Sequence, residues 1–436
     1  MRFSRLCALA LVLVGVAGAT GQTTAPADWP LRIRPVDSPA GADSGQPQMT
    51  VSPRGVLLSW VERAGATATL KFAERTATGW SPAVTVAAGT DWFVNWADIP
   101  SVLRLDDGAL AAHWLQKSGT GTYAYDVRLS VSADDGRTWA PSFSPHHDGT
   151  QTEHGFVSLV QMPGAWLGLV WLDGRHGQTR TNTGHGRTPT NTDEHGPRMN
   201  TEKHGPRMNT EKHGQGAMSL RFAAFDRSLK QVADVAIDDR VCECCPTSAV
   251  AIREGLLTAY RNRSEDEVRD IHVARYETGR WSPPAPVHAD NWRIAACPVN
   301  GPALSARGRA VAAAWFTVKD DAGHAFVAFS DDDGRTFGTP VRLDDYQSTG
   351  RVDIELLPDG SAAVSYLEVT ERGGSQFRVR RVDRSGMRSP AITVAGVESG
   401  RTSGYPRLAL HGSELVFAWL ARDRTIGVRT AVAALP

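Results

Sequence analysis

The chain is predicted to be all-β, a β-propeller built from four-stranded blades. A pattern of apolar strand, turn glycine, second apolar strand and aromatic recurs seven times along 436 residues. Repeats of about 50 residues are the period of propeller blades. Thirteen Trp and 42 Gly accompany few long apolar runs, which suits many short strands joined by tight turns.

In chain order, Arg2 and Arg5 precede an apolar run from Leu6 to Val16 and then Ala17-Gly18-Ala19. This is the charged, apolar, small-residue order of a secretory signal peptide. Residues 1–19 are therefore expected to be removed, with 20–436 forming the propeller in the periplasm or outside the cell. Cys7 lies inside the apolar run, away from a lipid-anchor position, and no later stretch is long and apolar enough to span a bilayer. Lys plus Arg equals Asp plus Glu, at 47 each. With no basic surplus to neutralise a phosphate backbone, nucleic acid is set aside as a partner. A monomer is expected.

The glycine-to-aromatic pairs are Gly55 to Trp60, Gly108 to Trp114, Gly164 to Trp171, Gly255 to Tyr260, Gly308 to Trp315, Gly360 to Tyr366 and Gly412 to Trp419. Third and fourth strands follow, and the segments ATGWSPAVTV, TGRWSPPAPV and RSGMRSPAITV are visibly one element. In the second and fifth units the corresponding turn reads SADDGRTW (Ser132 to Trp139) and SDDDGRTF (Ser330 to Phe337). Here Asp134 or Asp332 can accept backbone N–H groups of its own turn, Gly136 or Gly334 takes a positive φ, and the aromatic fills the space between blades. The seventh unit ends after its third strand, so Leu31 to Val36 is expected to supply the fourth and close the ring. Seven blades result, or six if one unit packs outside the ring.

One glycine interval, 91 residues, exceeds its neighbours by 38, with the excess at about 175–216. That stretch holds an imperfect nine-residue repeat, EHGPRMNT EKHGPRMNT EKHG, with His195, His204 and His213 in register. It is polar and has no apolar face, the pattern of a disordered loop within the third blade. Histidine and methionine together could hold copper or another soft metal loosely; expansion of a solvent loop is the plainer reading, since nothing fixes a geometry there.

In a propeller the residues leading into the innermost strands converge at one mouth of the central channel. Those residues include Gln46, Asp98, His154, Asn300, Arg351 and Tyr405, with Arg407 just behind. The fourth unit adds YRNRSEDEVRDI, in which Arg261, Arg263, Glu267, Arg269 and Asp270 alternate in charge. Glu267 could partner a tyrosine or a general acid; a solvated ion-pair ladder on an outer strand pair is the plainer reading.

Four of the five cysteines concentrate in Cys242-Glu243-Cys244-Cys245-Pro246 and Cys297-Pro298. Aligning the two Cys-Pro steps puts Cys297 on the adjacent blade, close to the triple cluster. In an exported protein two disulfides are one outcome. The other is a thiolate site for copper(I) or zinc, with His154 joining from the neighbouring blade.

The two Ser-x-Asp-x-Gly-x-Thr-aromatic turns resemble the Asp-box of sialidases. Together with Cys-x-Cys-Cys-Pro, the RDI segment, Cys-Pro-Val-Asn-Gly-Pro and Gly-Arg-Val-Asp, the mature chain resembles exported bacterial proteins of the sialidase-like, exo-α-sialidase group. The resemblance implies a glycoside hydrolase or glycan-binding protein acting at the channel mouth. In such an enzyme arginines grip the substrate carboxylate, an acid protonates the leaving oxygen and a glutamate activates a tyrosine. Asp98, Tyr405 and Glu267 would be catalytic, and Arg351, Arg407, Asn300 and Gln46 would bind a glycan or small molecule. The chain departs from the family at Gly45-Gln46-Pro47, where the aromatic-Arg-Ile-Pro motif would stand, and the full arginine triad is not found. Two other functions remain open: a periplasmic metal or redox protein using Cys242, Cys244, Cys245 and Cys297, and a non-catalytic interaction scaffold.

Overall fold

The computed structural model describes residues 28–162, 166–176, 217–371, 373–422 and 425–436. The expected signal segment and the whole of the His-Met repeat lie outside the described residues. Seven antiparallel sheets follow one another along the chain, one for each repeat, so the ring has seven blades.

The third blade shows the plan: His154–Gln161, Leu167–Asp173, Met218–Phe225 and Gln231–Val241 pair in sequence order. The long insertion therefore joins its second and third strands. The second blade has three strands, Ser101–Arg104, Leu110–Lys117 and Tyr125–Ser132, and a single bridge from Leu129 to Phe143 stands where a fourth would be. In the seventh, Arg407–His411, Glu414–Arg422 and Ile426–Ala434 are completed by Arg34–Val36, with Arg34 opposite Val432 and Val36 opposite Thr430. The N-terminal strand thus closes the ring as expected. It is shorter than the segment read from the sequence, because Leu31 and Trp29 turn inward to pack on Leu408 and Leu410 instead of pairing.

Second strands are enclosed on both faces, and Leu167–Asp173 and Gly255–Arg261 are buried throughout. This is why they read as continuous apolar runs. Their recurring aromatics fill the layers between blades: Trp60, Trp171, Tyr260, Trp315 and Tyr366 are all but inaccessible. Each keeps a partner for its polar tip. Trp171 Nε1 donates to Asp173 at 2.9 Å, Trp315 Nε1 to Asp290 at 2.7 Å and the Tyr260 hydroxyl to Asp238 at 2.6 Å. The recurring glycine is a matter of space at two positions. A Cβ at Gly55 would lie 2.0 Å from the Arg75 carbonyl oxygen, and one at Gly255 1.7 Å from that of Tyr276.

At the Asp-x-Gly turn of the second blade, Asp134 accepts the Thr138 N–H at 2.9 Å and hydroxyl at 2.7 Å, and Gly136 has φ 81°. Trp139 meets Phe72 of the preceding blade edge-on, with centroids 6.4 Å apart. Inner strands from all seven blades line a central cavity of about 440 Å³.

Candidate functional site

The strands leading to the channel mouth share a backbone device. Gln46, Phe156 and Arg351 each follow a glycine, have φ of 56°, 54° and 56°, and sit where pairing with the second strand shifts register. Each bulge turns its backbone toward a neighbouring blade. Asp98 Oδ1 accepts the Phe156 N–H at 2.7 Å, and Asn300 Oδ1 accepts the Arg351 N–H at 3.0 Å. The same bond therefore joins blades two and three, and blades five and six. A Cβ at Gly155 would lie 2.0 Å from Asp98 Oδ2 and one at Gly350 2.1 Å from Asn300 Oδ1, so both glycines are required by the approach. Gln46 Nε2 ties the first blade to the second, donating to the carbonyls of Asn95 and, at 3.1 Å, Asp98. Asp98, Asn300 and Gln46 are inter-blade staples.

Asp98 is also a buried carboxyl without a cation. Burial pushes it up to about 7, against the lowering effect of the Phe156 N–H and the Tyr125 hydroxyl. Tyr125 stands 3.1 Å from Asp98 Oδ2 and 2.8 Å from Glu153 Oε1, with one hydroxyl proton between two carboxyls. A proton on Asp98 resolves that competition, since Asp98 can then donate to Tyr125 while Tyr125 donates to Glu153.

Tyr405 stacks on Trp96 with centroids 5.9 Å apart, and the Arg351 guanidinium lies 4.6 Å from the Trp96 ring and 4.9 Å from that of Tyr405. Arg351 also donates to the Val299 carbonyl at 2.8 Å and to Asn300 Oδ1 at 2.9 Å. The Tyr405 hydroxyl donates to the same Val299 carbonyl, and burial holds it well above the ordinary tyrosine range. A phenol committed to a carbonyl and so raised is a poor nucleophile. Arg407 lies 5.6 Å from the Tyr405 ring. Glu267, the expected partner of the tyrosine, belongs elsewhere: Arg263 Nη2 reaches it at 2.7 Å and Arg269 Nη2 at 2.9 Å. Burial would raise this carboxyl, but the two guanidinium groups outweigh it and lower it. Asp98, Tyr405 and Glu267 therefore have three separate sets of partners.

The charged fourth-unit segment is no solvated ladder. Arg261 and Arg269 are 1 % and 2 % exposed. Arg261 donates to the carbonyls of Asn300, Arg269 and Phe316 and lies 5.0 Å from the Trp292 ring. Arg269 is paired with Glu243 and Glu267, and its Nη1 is 3.2 Å from Cys242 Sγ. Buried guanidinium groups beside sulfur were not separable in the sequence from an exposed charge run, because alternation looks alike in both.

The four cysteines of the described residues are buried and unbridged. Cys242 Sγ is 3.8 Å from Cys244 Sγ and 3.2 Å from Cys245 Sγ, and Cys297 also hydrogen-bonds Cys244. The expected convergence is present. The Cys-Pro steps are not equivalent, however: Cys245 lies three residues before the inner strand Ser248–Ile252, and Cys297 six residues before Ala303–Arg307. Burial pushes the Cys242 thiol up to about 11 and raises Cys244 further. At Cys245 burial is outweighed by the Cys242 and Cys244 S–H groups, the Arg261 charge and the Asn300 N–H, and the thiol is held well below its ordinary range. The buried Arg261 and Arg269 guanidinium groups favour negative charge on these sulfurs. A cavity of about 60 Å³ reaches it, lined by Cys244 and Cys297 with Trp96, Tyr125 and Glu153. Cys242, Cys244 and Cys245 could hold a metal ion.

His154 groups with carboxylates and not with these thiols. Its neighbours are Asp126, His146, Asp148 and Asp173, none of which the sequence singled out. They come from two blades and a loop, so no spacing in the chain signals them.

No protein-family model matches the chain, and no curated protein does. Solved structures similar to it include a protein of unknown function from Dyadobacter fermentans, 12 % identical over 93 % of this chain and 97 % of that one, with a TM-score of 0.48. The α-L-arabinofuranosidase of Fusarium graminearum in complex with arabinobiose is 12 % identical over 80 % and 95 %, with a TM-score of 0.47. Trypanosoma rangeli sialidase in complex with sialic acid is 12 % identical over 85 % and 59 %, with a TM-score of 0.42. Likenesses of this degree carry no activity to this chain.

Proposed function

We propose that the protein is an exported, metal-binding β-propeller whose site is Cys242, Cys244, Cys245 and Cys297, taking copper(I) or zinc. The observation that carries this reading is the meeting of three buried thiols, Cys242, Cys244 and Cys245, with a fourth, Cys297, hydrogen-bonded to Cys244, beside two buried guanidinium groups. Tetrahedral zinc bonded to sulfur at about 2.3 Å sets its sulfurs about 3.8 Å apart. The Cys242–Cys244 separation has that value, and the 3.2 Å pair needs to open by about half an ångström. Thiolate complexes of copper(I) and zinc carry residual negative charge, which Arg261 and Arg269 oppose without water. The small cavity at Cys244 and Cys297 offers a path for the ion.

The test is metal content and thiol titration on protein exported to the periplasm, beside Cys244→Ser and Cys297→Ser. One copper or zinc per chain, lost in both variants, is the expected result. Absence of metal together with absence of free thiols would instead make the cysteines two disulfides and refute the reading.

A second reading is action on a glycan, and it rests on the central cavity. Its volume falls within the range of small-ligand sites. Asp353 and Glu355 project from one strand into it beside Arg407. Enclosure raises both carboxyls, Glu355 to about 8, as a general acid requires. Hydrolysis of sialosides or arabinosides by the purified chain, lost in Glu355→Gln, is the outcome this reading needs; no turnover of either class would retire it.

A further inference from the structure

The second buried cluster has the makings of a site of different chemistry. His154 opens the inner strand of the third blade and is fully buried, Asp173 ends the strand beside it and is equally buried, and His146 is 5 % exposed. His154 Nδ1 lies 3.3 Å from the Tyr125 carbonyl oxygen and 3.3 Å from Asp126 Oδ1. Two acceptors at that nitrogen hold a ring proton there, which makes Nε2 the nitrogen that an ion would take. Nε2 faces Asp148 Oδ2 at 3.2 Å and Asp173 Oδ2 at 3.8 Å. The His146 ring stacks on His154, with centroids 3.8 Å apart and planes 11° from parallel, and its Nδ1 is 3.3 Å from the same Asp148 Oδ2.

The approaches to Asp148 and Asp173 are not hydrogen bonds. His154 Nε2, His146 Nε2 and Asp148 Oδ2 are buried atoms without a hydrogen-bond partner among the described residues. Lone pairs that face one another across about 3 Å in a buried site repel unless a positive charge lies between them. Their other contacts orient them: Asp148 Oδ1 accepts from Thr150, and Asp173 accepts Trp171 Nε1 at 2.9 Å and Arg175 at 2.7 and 2.8 Å. Asp126, Asp148 and Asp173 bring three carboxylates to the two rings against one guanidinium, Arg175, so negative charge is in excess there among the described residues, and a divalent cation removes that excess.

We propose that Asp148, His154 and Asp173, with His146 beside them, bind a divalent first-row transition-metal ion, zinc being the probe of choice. Asp126 is the positioning residue, fixing His154 through Nδ1 as carboxylates do behind metal-bound imidazoles. Nitrogen and oxygen ligands set this site apart from the thiols, which favour softer ions. It does not depend on the thiol cluster holding metal.

The experiment is equilibrium dialysis of the full chain against Zn²⁺, and against Co²⁺ with absorption spectra, for wild type, Asp148→Asn, His154→Ala, Asp126→Asn and Cys244→Ser. Expected in Cys244→Ser is one ion per chain without thiolate-to-cobalt charge transfer, whatever the thiols of wild type take, and in that background affinity falls by about 100-fold with Asp148→Asn and by about 10-fold or more with Asp126→Asn. Cys244→Ser leaves this ion in place. Asp148→Asn is nearly isosteric, so the test stands even if His154→Ala does not fold. Zinc uptake in the Cys244→Ser background that survives both aspartate substitutions, as binding by histidines elsewhere on the chain would, overturns the proposal, as does cobalt seen solely as a thiolate complex or no uptake at all.

Discussion

Replacing Asp98 by Asn tests whether the staple between blades two and three is a neutral acid. Asp98 is 1 % exposed, and its carboxyl is moved from an ordinary 3.8 to about 7. That displacement corresponds to about 4 kcal/mol of linkage between protonation and folding, as an upper figure. Below pH 4 the carboxyl is protonated in both states, so its contribution is at its full value and does not vary with pH. From pH 4 to 7 the folded protein keeps a proton that the unfolded chain has lost, so this contribution to stability falls as pH rises and is gone above pH 7. An asparagine cannot ionise. Its Oδ1 can accept the Phe156 N–H, and its Nδ2 can donate to Tyr125, which then donates to Glu153. Relative to wild type, Asp98→Asn should gain about 2 to 3 kcal/mol between pH 5 and pH 8. Urea unfolding followed by tryptophan fluorescence at the two pH values measures this. Asp98→Ala should lose stability at both, because the buried Phe156 N–H is left without an acceptor, by about 1–3 kcal/mol. A difference between wild type and Asp98→Asn that does not change with pH would refute the reasoning.

Three further outcomes follow from the same structure. Gly255→Ala should lower stability by several times as much as Gly412→Ala in matched denaturation curves: the first Cβ runs into the Tyr276 carbonyl, whereas the second meets only the penalty of φ 59°, about 1 kcal/mol. Arg269→Met should raise the pH at which the cluster's thiolate absorbance appears, since it removes the cation 3.2 Å from Cys242; an unchanged titration would show that Arg269 does not act on sulfur. Deleting residues 28–36 should lower the melting temperature and produce dimers on size exclusion, because the edge of Ile426–Ala434 loses its partner; a monomer with wild-type melting would mean that ring closure contributes nothing.

The repeats made the architecture legible. Blade number, hairpin glycines, interleaved aromatics and the closing strand all reflect local strand chemistry, which is written in adjacent residues and therefore survives reading one chain. The concentration of cysteines was legible for the same reason. The functions of the residues leading to the channel were not. Asp98 and Asn300 are polar residues at the mouth, as a binding site would require, but their acceptors are spent on amides that neighbouring bulges deliver. The Gly-Gln, Gly-Phe and Gly-Arg steps were the trace of that device, visible only once their φ values and register shifts were known.

By itself the sequence determined that this chain makes a seven-unit β array and brings its cysteines near one another, because both follow from periodicity and from position within a unit. The tertiary structure decided which charges are buried, since Arg261 and Arg269 differ from surface arginines only in what folds over them. It also decided that His154 stands with Asp126, His146, Asp148 and Asp173 and not with the thiols. Those five side chains lie at strand ends and in a loop from two blades, and only ring closure, which sets one blade against the next, puts their polar atoms within a few ångströms of one another.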